Sequence, residues 1–196
     1  GYFSSKVTDD YQRGADQGKQ ENSPLTFTLT VVSEDVEAMI TDPAHQARMV
    51  GSVVAPALSL RPLMVNNGTF NLFEVDPQEP ATRRMWYRMA MRAEEGHVYY
   101  FVGFKLIHDQ PTYDVWHDTT TLYITVYDGL SETEPVLGKG ILIIRPQDFF
   151  HQLTTMKATN APTIEQRLEE EGKFARFFLG VLAQKYGNIF RMPVSV

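Results

Sequence analysis

The feature that most limits what this chain can fold into is the alternation of apolar and polar residues along several of its segments. In residues 25–31, apolar side chains alternate with threonines, which is the two-residue period of a strand with one buried face. A second segment, residues 84–92, alternates between a basic set and a methionine-rich set. The pattern predicts a protein made mainly of strands.

Strand signals of this kind extend over most of the chain, and at least seven strands are expected. Residues 63–65 and 69–73 are predicted to form a hairpin around Asn66-Asn67-Gly68, because these residues tolerate the positive φ that such a turn needs. Gly138 and Gly140 mark a bulge or a close approach of backbones. The predicted strands lie near residues 25–31, 49–54, 63–65, 69–73, 84–92, 97–107, 119–127 and 136–145.

Two short helices are predicted between and after the strands. Ser33 is expected to cap the first helix, which runs to about Ile40 and carries acidic residues in its first turn. Pro146 suits the first position of the second helix, and apolar residues recur at helical spacing through residue 156.

A longer helix is predicted near the C-terminal end of the sequence. Thr163 and Gln166 have the spacing of a capping box, and Gly187 is expected to end the helix. Its apolar residues fall along one stripe and its acidic side is expected to be solvated; the stripe is formed by Ile164, Leu168, Ala175, Phe178, Leu182 and Tyr186.

Meandering antiparallel strands followed by helices indicate a mainly β fold. The predicted architecture is an antiparallel up-and-down barrel or a strongly curved, lipocalin-like sheet with C-terminal helices. A length of 196 residues favours one domain, since it is near the lower limit for two. We expect a polar N-terminal arm at residues 1–24, one barrel-like domain at residues 25–187 and a tail at residues 188–196.

Composition excludes several functional classes. With 18 basic and 24 acidic residues the net charge is −6, which disfavours binding to nucleic acid, even though arginines flank Trp86. The absence of cysteine excludes disulfides and thiolate chemistry. No apolar run reaches membrane-spanning length and no secretory signal is present, so a soluble, cytoplasmic protein is expected. The chain does not begin with Met, which indicates cleavage or origin in a longer protein.

A small barrel can hold one ligand, and two of the predicted strands supply methionine and aromatic side chains suited to an apolar cavity. The alternative is a plainly packed core, because alternation reports burial and not empty space. The candidate ligand-binding residues are Met85, Tyr87, Met89, Met91, Tyr100, Val102 and Phe104.

Reactive side chains are densest in the loop that follows residue 107. His108, Asp114, His117 and Asp118 are the candidates for a metal site, since several imidazoles and carboxylates occur in one loop. Their spacing matches no named motif, and the favoured interpretation is that they cap turns and start strands. No Gly-x-Ser-x-Gly motif is present, so no catalytic residue is assigned.

Several short motifs resemble a bacterial segment attached to cholesterol-oxidase-like flavin oxidoreductases of the glucose-methanol-choline type. The resemblance covers residues from about Tyr2 to Tyr186 and implies an association with sterol or other lipid chemistry. The motifs are Asn71-Leu72-Phe73, Gly103-Phe104-Lys105, Asp118-Thr119-Thr120-Thr121-Leu122-Tyr123, Gly138-Lys139-Gly140-Ile141-Leu142 and Gln152-Leu153-Thr154-Thr155-Met156.

The sequence departs from that family at two points. It has no Gly-x-Gly-x-x-Gly fingerprint, so the flavin-binding part is absent and no cofactor is expected. His108 stands where the family pattern has arginine, and no catalytic residue carries over.

Three functions follow as hypotheses. The first is a binding or accessory domain for a hydrophobic small molecule, lipid or sterol-like, that associates with a lipid-modifying flavin oxidoreductase. The second is a cofactor-free isomerase or cyclase that acts on a lipid through a polar cluster at the cavity floor, formed by Tyr100 and a carboxylate. The third is a structural or oligomerising domain with a filled interior and an exposed apolar patch.

Overall fold

A computed structural model describes residues 1–76, 78–108, 120–144, 155, 157–159 and 161–186, and antiparallel strands dominate it. The strands are β1 (Tyr2–Ser4), β2 (Thr26–Val32), β3 (Gln46–Val54), β4 (Leu63–Val75), β5 (Arg83–Arg92), β6 (Val98–Ile107), β7 (Thr121–Tyr127) and β8 (Val136–Ile143). The helices are α1 (Tyr11–Gln20), α2 (Val36–Thr41) and α3 (Ile164–Tyr186). The prediction of a mainly β fold with a C-terminal helix is confirmed.

The eight strands form one curled sheet. From β2 to β8 each strand pairs with the next along the chain, and β1 is added beside β8. The ends of the sheet touch at one place, where Tyr2 bridges to Pro24 and the Leu25 N–H donates to the Gly1 carbonyl at 3.0 Å. The result is an up-and-down half-barrel, the strongly curved form among the predicted architectures.

The pairing register decides which side chains share a face. Met85 pairs with Lys105 and Tyr87 pairs with Gly103, and directly paired side chains point to the same side of a sheet. This inner face carries most of the buried apolar residues. The outer face carries the alternate residues, such as Trp86 and its partner Phe104.

Helix α1 packs on the outer face. Asp10 caps it, since its carboxylate accepts a hydrogen bond from the Arg13 N–H at 2.7 Å. The Tyr11 ring lies 5.7 Å from the Phe104 ring and 5.5 Å from the Tyr123 ring, both at the edge-to-face angles that aromatic pairs prefer. The helix therefore covers part of the sheet that faces away from the core.

Two glycines let α1 approach the sheet. A Cβ at Gly14 would lie 2.3 Å from the Lys139 carbonyl oxygen, and one at Gly18 would lie 2.4 Å from the Phe3 carbonyl oxygen. The segment predicted to be a polar arm, residues 1–24, supplies β1 and α1. The packing of this segment could not be predicted from its polar composition, because it depends on close backbone contact and not on an apolar stripe.

The predicted hairpin turn at Asn66-Asn67-Gly68 is wrong. Strand β4 runs without interruption through these residues, and Gly68 pairs with Met49 on one side and with Met89 on the other. The register between β4 and β5 shifts between Met64 and Gly68 to accommodate the asparagines. Gly68 pairs on both sides, and this pairing outweighs the local preference of the three residues for a turn.

Of the two helix caps predicted from the sequence, one is confirmed and one is wrong. The predicted capping box of α3 is confirmed, because the Thr163 hydroxyl accepts a hydrogen bond from the Gln166 N–H at 3.2 Å. Ser33 does not cap α2. Asp35 does so instead, accepting from the Ala38 N–H at 2.9 Å, while the Ser33 hydroxyl donates to the Asp35 carbonyl.

Part of the predictions falls outside the described residues. These are most of the helix predicted at residues 146–156, the stop at Gly187 and the tail at residues 188–196. Within the described part of the chain, no helix has the length and apolarity needed to cross a membrane.

Because α1 contacts the sheet through glycine, a glycine-to-alanine substitution should affect stability in opposite directions in α1 and in α3. Gly18→Ala should lower the free energy of unfolding by about 1–3 kcal/mol, since the new methyl group meets backbone. Gly180→Ala in α3 is the control, because a Cβ there meets no described residue within 4 Å and alanine is favoured in helices by ~0.5–1 kcal/mol. Urea denaturation measures both, and equal stabilisation would show that α1 does not pack this way.

Candidate functional site

A cleft of about 490 Å³ lies between the inner face of the sheet and helix α3. Its size falls within the ~300–1,000 Å³ typical of small-molecule sites. The apolar part of the wall comes from β2, β4, β5, α2 and α3, and includes Leu29, Met39, Phe70, Leu72, Tyr87 and Phe174. The polar part includes Ser33, Thr155, Lys157, Thr159, Glu170 and Glu171.

The floor of the cleft is aromatic. Phe70 of β4 pairs directly with Tyr87 of β5, so both side chains point to the inner face, and their rings lie 4.9 Å apart. Phe27 of β2 comes within 6.2 Å of the Tyr87 ring and 6.3 Å of the Phe101 ring. Four strands thus meet in one aromatic cluster beneath the cleft.

One end of the cleft is formed by α2. The Asp35 cap starts this six-residue helix, and its Met39 is buried with 5% of its surface exposed. Glu37 of α2 lies 3.8 Å from the Lys173 amine of α3, at the outer rim. The short helix therefore supplies both a wall residue and a contact with the helix above.

Helix α3 forms the roof, and aromatic contacts hold it in place. The Phe73 ring lies 5.4 Å from the Phe178 ring and 6.2 Å from the Phe177 ring, while the His45 ring lies 4.9 Å from that of Phe177. Phe178 is buried. These contacts place Phe174, one turn earlier on the helix, over the cleft.

A backbone irregularity aims Phe73 at the roof. Phe73 has φ +57°, a left-handed conformation that is rare for residues with a side chain, and it lies where the pairing of β4 with β5 shifts between Asn71 and Glu74. Both Leu72 and Phe73 are buried as a result, although consecutive strand residues normally point to opposite faces. The bulge therefore adds the aromatic ring of Phe73 to the inner face of the sheet.

The charged groups at the mouth are mostly engaged with one another. Lys173 donates to Glu170 at 3.0 Å, and the Ala158 N–H donates to the Glu171 carboxylate at 3.0 Å. The hydrogen bonds to Glu170 and Glu169 raise the pKa of Lys173. Lys157 is exposed beside these groups. The mouth is therefore polar and close to water, in contrast to the apolar interior.

An ionisable pair lies deeper on the inner face. Lys105 is 2% exposed, and its amine lies 5.8 Å from the centre of the Tyr87 ring. Burial lowers the pKa of Lys105 to about 7 and raises the pKa of Tyr87, because desolvation disfavours the charged form of each group. The Tyr87 ring lies on the cleft wall, so it connects the amine to the cleft.

The structure divides the seven candidate ligand-binding residues between two faces. Met85, Tyr87, Met89 and Met91 are buried on the inner face, and Tyr87 is the member that lines the cleft. Tyr100, Val102 and Phe104 lie on the outer face, paired with Ala90, Arg88 and Trp86. The seven do not surround one interior, because β6 has apolar residues on both faces and its sequence does not tell which face is inside.

Arginines on the outer face are paired with acidic or polar groups. Arg84 forms an ion pair with the buried Asp76, and the Gln78 N–H together with Arg84 lowers the pKa of that carboxyl. Arg88 lies 3.2 Å from the Glu132 carboxylate and stacks 4.2 Å above the Trp86 ring. These contacts brace strands and loops on the outer face.

The candidate metal residues are only partly described. His108 lies at the end of β6, whereas Asp114, His117 and Asp118 lie outside the described residues. Among the residues that the structure describes, no three His, Asp or Glu side chains are grouped as a metal site requires.

The lowered pKa of Lys105 leads to a prediction of how the free energy of unfolding changes with pH. With a folded-state pKa of about 7, the unfolded chain binds more protons than the folded one from near pH 7 up to the ordinary lysine pKa near 10. The free energy of unfolding should rise across this window, by at most ~1.4 kcal/mol per pH unit. The Lys105→Met variant should be more stable than the parent below pH 7. Its free energy of unfolding should not rise across this window.

The measurement is urea denaturation between pH 6 and pH 9.5, below the range in which tyrosines titrate. Lys19→Met, which removes an exposed lysine of α1, is the matched control and should keep the parent profile. An unchanged slope in Lys105→Met would show that the buried amine is not the titrating group.

Comparison of the chain with protein-family models, with curated proteins and with solved structures gave no match. The resemblance to the oxidoreductase-associated segment therefore stays a prediction. What the protein does has to be inferred from the cleft itself.

Proposed function

We propose that the protein binds a hydrophobic small molecule, lipid or sterol-like, in the cleft between the curled sheet and α3. The observation that carries the proposal is an apolar cleft of about 490 Å³ at the inner face of a half-barrel. Small-molecule sites are concave, mostly apolar and largely formed before binding, with few polar groups.

The residues that line the cleft support an amphipathic ligand. Leu29, Leu72 and Phe174 offer apolar surface inside the cleft, while Lys157, Glu170 and Glu171 stand at its mouth. Burying an apolar surface releases ~25 cal/mol per Å², whereas burying an unpaired polar group costs free energy. An amphipathic molecule would therefore place its hydrocarbon part inside and its polar end at the mouth.

Association with a lipid-modifying flavin oxidoreductase is a further part of the proposal, and the motif resemblance is its support. A protein that holds a lipid beside such an enzyme would present or receive the enzyme's substrate. Pull-down with a purified cholesterol oxidase tests this part separately from ligand binding.

A second function, isomerisation of a bound lipid, is favoured by one observation. Lys105 is buried with a pKa of about 7, so near neutral pH the amine is able to accept a proton. The amine lies 5.8 Å from the centre of the Tyr87 ring, and Tyr87 also lines the cleft, which supports this second proposal. The group that would act is therefore on the inner face and is not Tyr100, whose side chain lies on the outer face.

Two neighbouring residues of β2 provide a test of binding. Leu29 lines the cleft, whereas Thr28 points outward and is exposed. Leu29→Trp should fill the cleft and weaken binding of palmitate or cholesterol by at least about tenfold, equivalent to ~1.4 kcal/mol, while Thr28→Trp should leave binding unchanged. Native mass spectrometry of gently purified protein, with thermal shift in the presence of each probe, measures the effect.

Equal binding by both variants would place the ligand elsewhere. If the parent protein carries no extractable lipid and neither palmitate nor cholesterol raises its melting temperature, the binding proposal fails. Turnover that disappears in Lys105→Met while binding persists would support the isomerase, and a lysine-independent turnover would exclude it.

A further inference from the structure

Helix α3 has two apolar faces, and the sheet covers one of them. Phe174, Phe177, Phe178 and Val181 pack against the core. Ile164, Leu168 and Leu179 are 74%, 65% and 47% exposed. The sequence places Ile164, Leu168 and Phe178 on one stripe, whereas the structure exposes Ile164 and Leu168 and buries Phe178 with the other aromatic residues.

The exposed apolar residues form a continuous stripe. At about 100° per residue, Ile164, Leu168, Gly172, Ala175 and Leu179 fall along one line of the helix surface. The middle of this line consists of small residues. Among the described residues, a Cβ at Gly172 would meet only the Arg176 side chain, at 3.5 Å, so another helix has room to approach closely there.

We propose that this stripe binds the same stripe of a second copy of the chain, with the two α3 helices antiparallel. Isologous contact of this kind is the commonest basis of protein dimers. The proposal does not depend on the function assigned to the cleft, because α3 lines the cleft with Glu170, Glu171 and Phe174 and with no residue of the stripe.

The distribution of charge along α3 favours an antiparallel partner of identical sequence. Residues 164–171 carry four glutamates and one arginine, for a net charge of −3, whereas residues 172–186 carry three basic residues and no acidic one, for +3. Parallel helices would place like charges together. An antiparallel pair places the acidic half of each helix beside the basic half of the other.

The same arrangement matches the apolar residues. With the two-fold axis near residues 173 and 174, Leu168 of one copy lies opposite Leu179 of the other, and Gly172 lies opposite Ala175. On the flank of the stripe, Arg176 of one copy comes near Glu169 of the other. A negatively charged membrane surface fits this helix less well, since glutamates border the exposed stripe.

The interface is small, which sets the expected affinity. A single pair of helices buries less than the ~1,200 Å² of a standard interface, so we expect half-dimerisation at roughly 10–100 μM. Sedimentation equilibrium across that range measures it on the full chain. A protein that stays monomeric up to about 0.5 mM would overturn the proposal.

Charge reversal tests the contact. Arg176→Glu places glutamates against each other and should weaken dimerisation by about tenfold or more, and Glu169→Arg combined with Arg176→Glu should restore it. Arg61→Glu, which reverses the charge of an exposed residue paired with Glu94, is the control and should dimerise like the parent. A dimer that Arg176→Glu does not weaken would be formed by another surface.

The absence of native cysteine makes the orientation directly measurable. Leu168→Cys protein is mixed with Leu179→Cys protein and treated with a short thiol crosslinker. The mixed product should exceed both like-with-like products. A predominance of like-with-like products would mean parallel helices and would contradict the antiparallel pair.

Discussion

The pairing of β5 with β6 is the constraint on which the rest of the structure depends. Placing Tyr87 opposite Gly103 and Met89 opposite Phe101 sends one set of side chains into the half-barrel and the alternate set outward. A shift by one residue would exchange the two sets, since strand side chains alternate strictly. The core, the cleft floor and the surface that receives α1 all follow from this register.

Two helices cover the two faces of the sheet. Helix α1 reaches the outer face through Gly14 and Gly18, which permit backbone contact. Helix α3 covers the inner side through aromatic rings and leaves a cleft where it does not touch the sheet. The bulge at Phe73 is what connects the second helix to the sheet, at the cost of a strained backbone of order 1–3 kcal/mol.

The alternation in residues 25–31 and 84–92 was sufficient to predict strands, and the capping box at Thr163 was sufficient to predict the start of α3. Both are local signals, since the strand period and the cap depend on residues close in sequence. The turn predicted at Asn66-Asn67-Gly68 failed because its outcome depends on two distant strands.

The candidate site was harder to predict than the fold. Tyr87 was recognised, but Leu29, Phe70 and Phe174 join it only because β2, β4 and α3 converge in space. The two apolar faces of α3 are visible in its sequence, yet only the packing of Phe73 against Phe178 shows which one is inside. Lys105 stood within an apolar strand, and its position opposite Met85 identifies it as an inward-facing amine.

The proposed function requires a lipid to occupy the cleft beneath α3. Photolabelling with a photoreactive fatty acid, followed by mapping of the modified peptides by mass spectrometry, measures this occupancy. Labels are expected on the peptides that contain Leu29, Leu72 and Phe174. Labels concentrated at Tyr100 to Phe104 on the outer face, or no labelling above that of an unrelated protein, would contradict it.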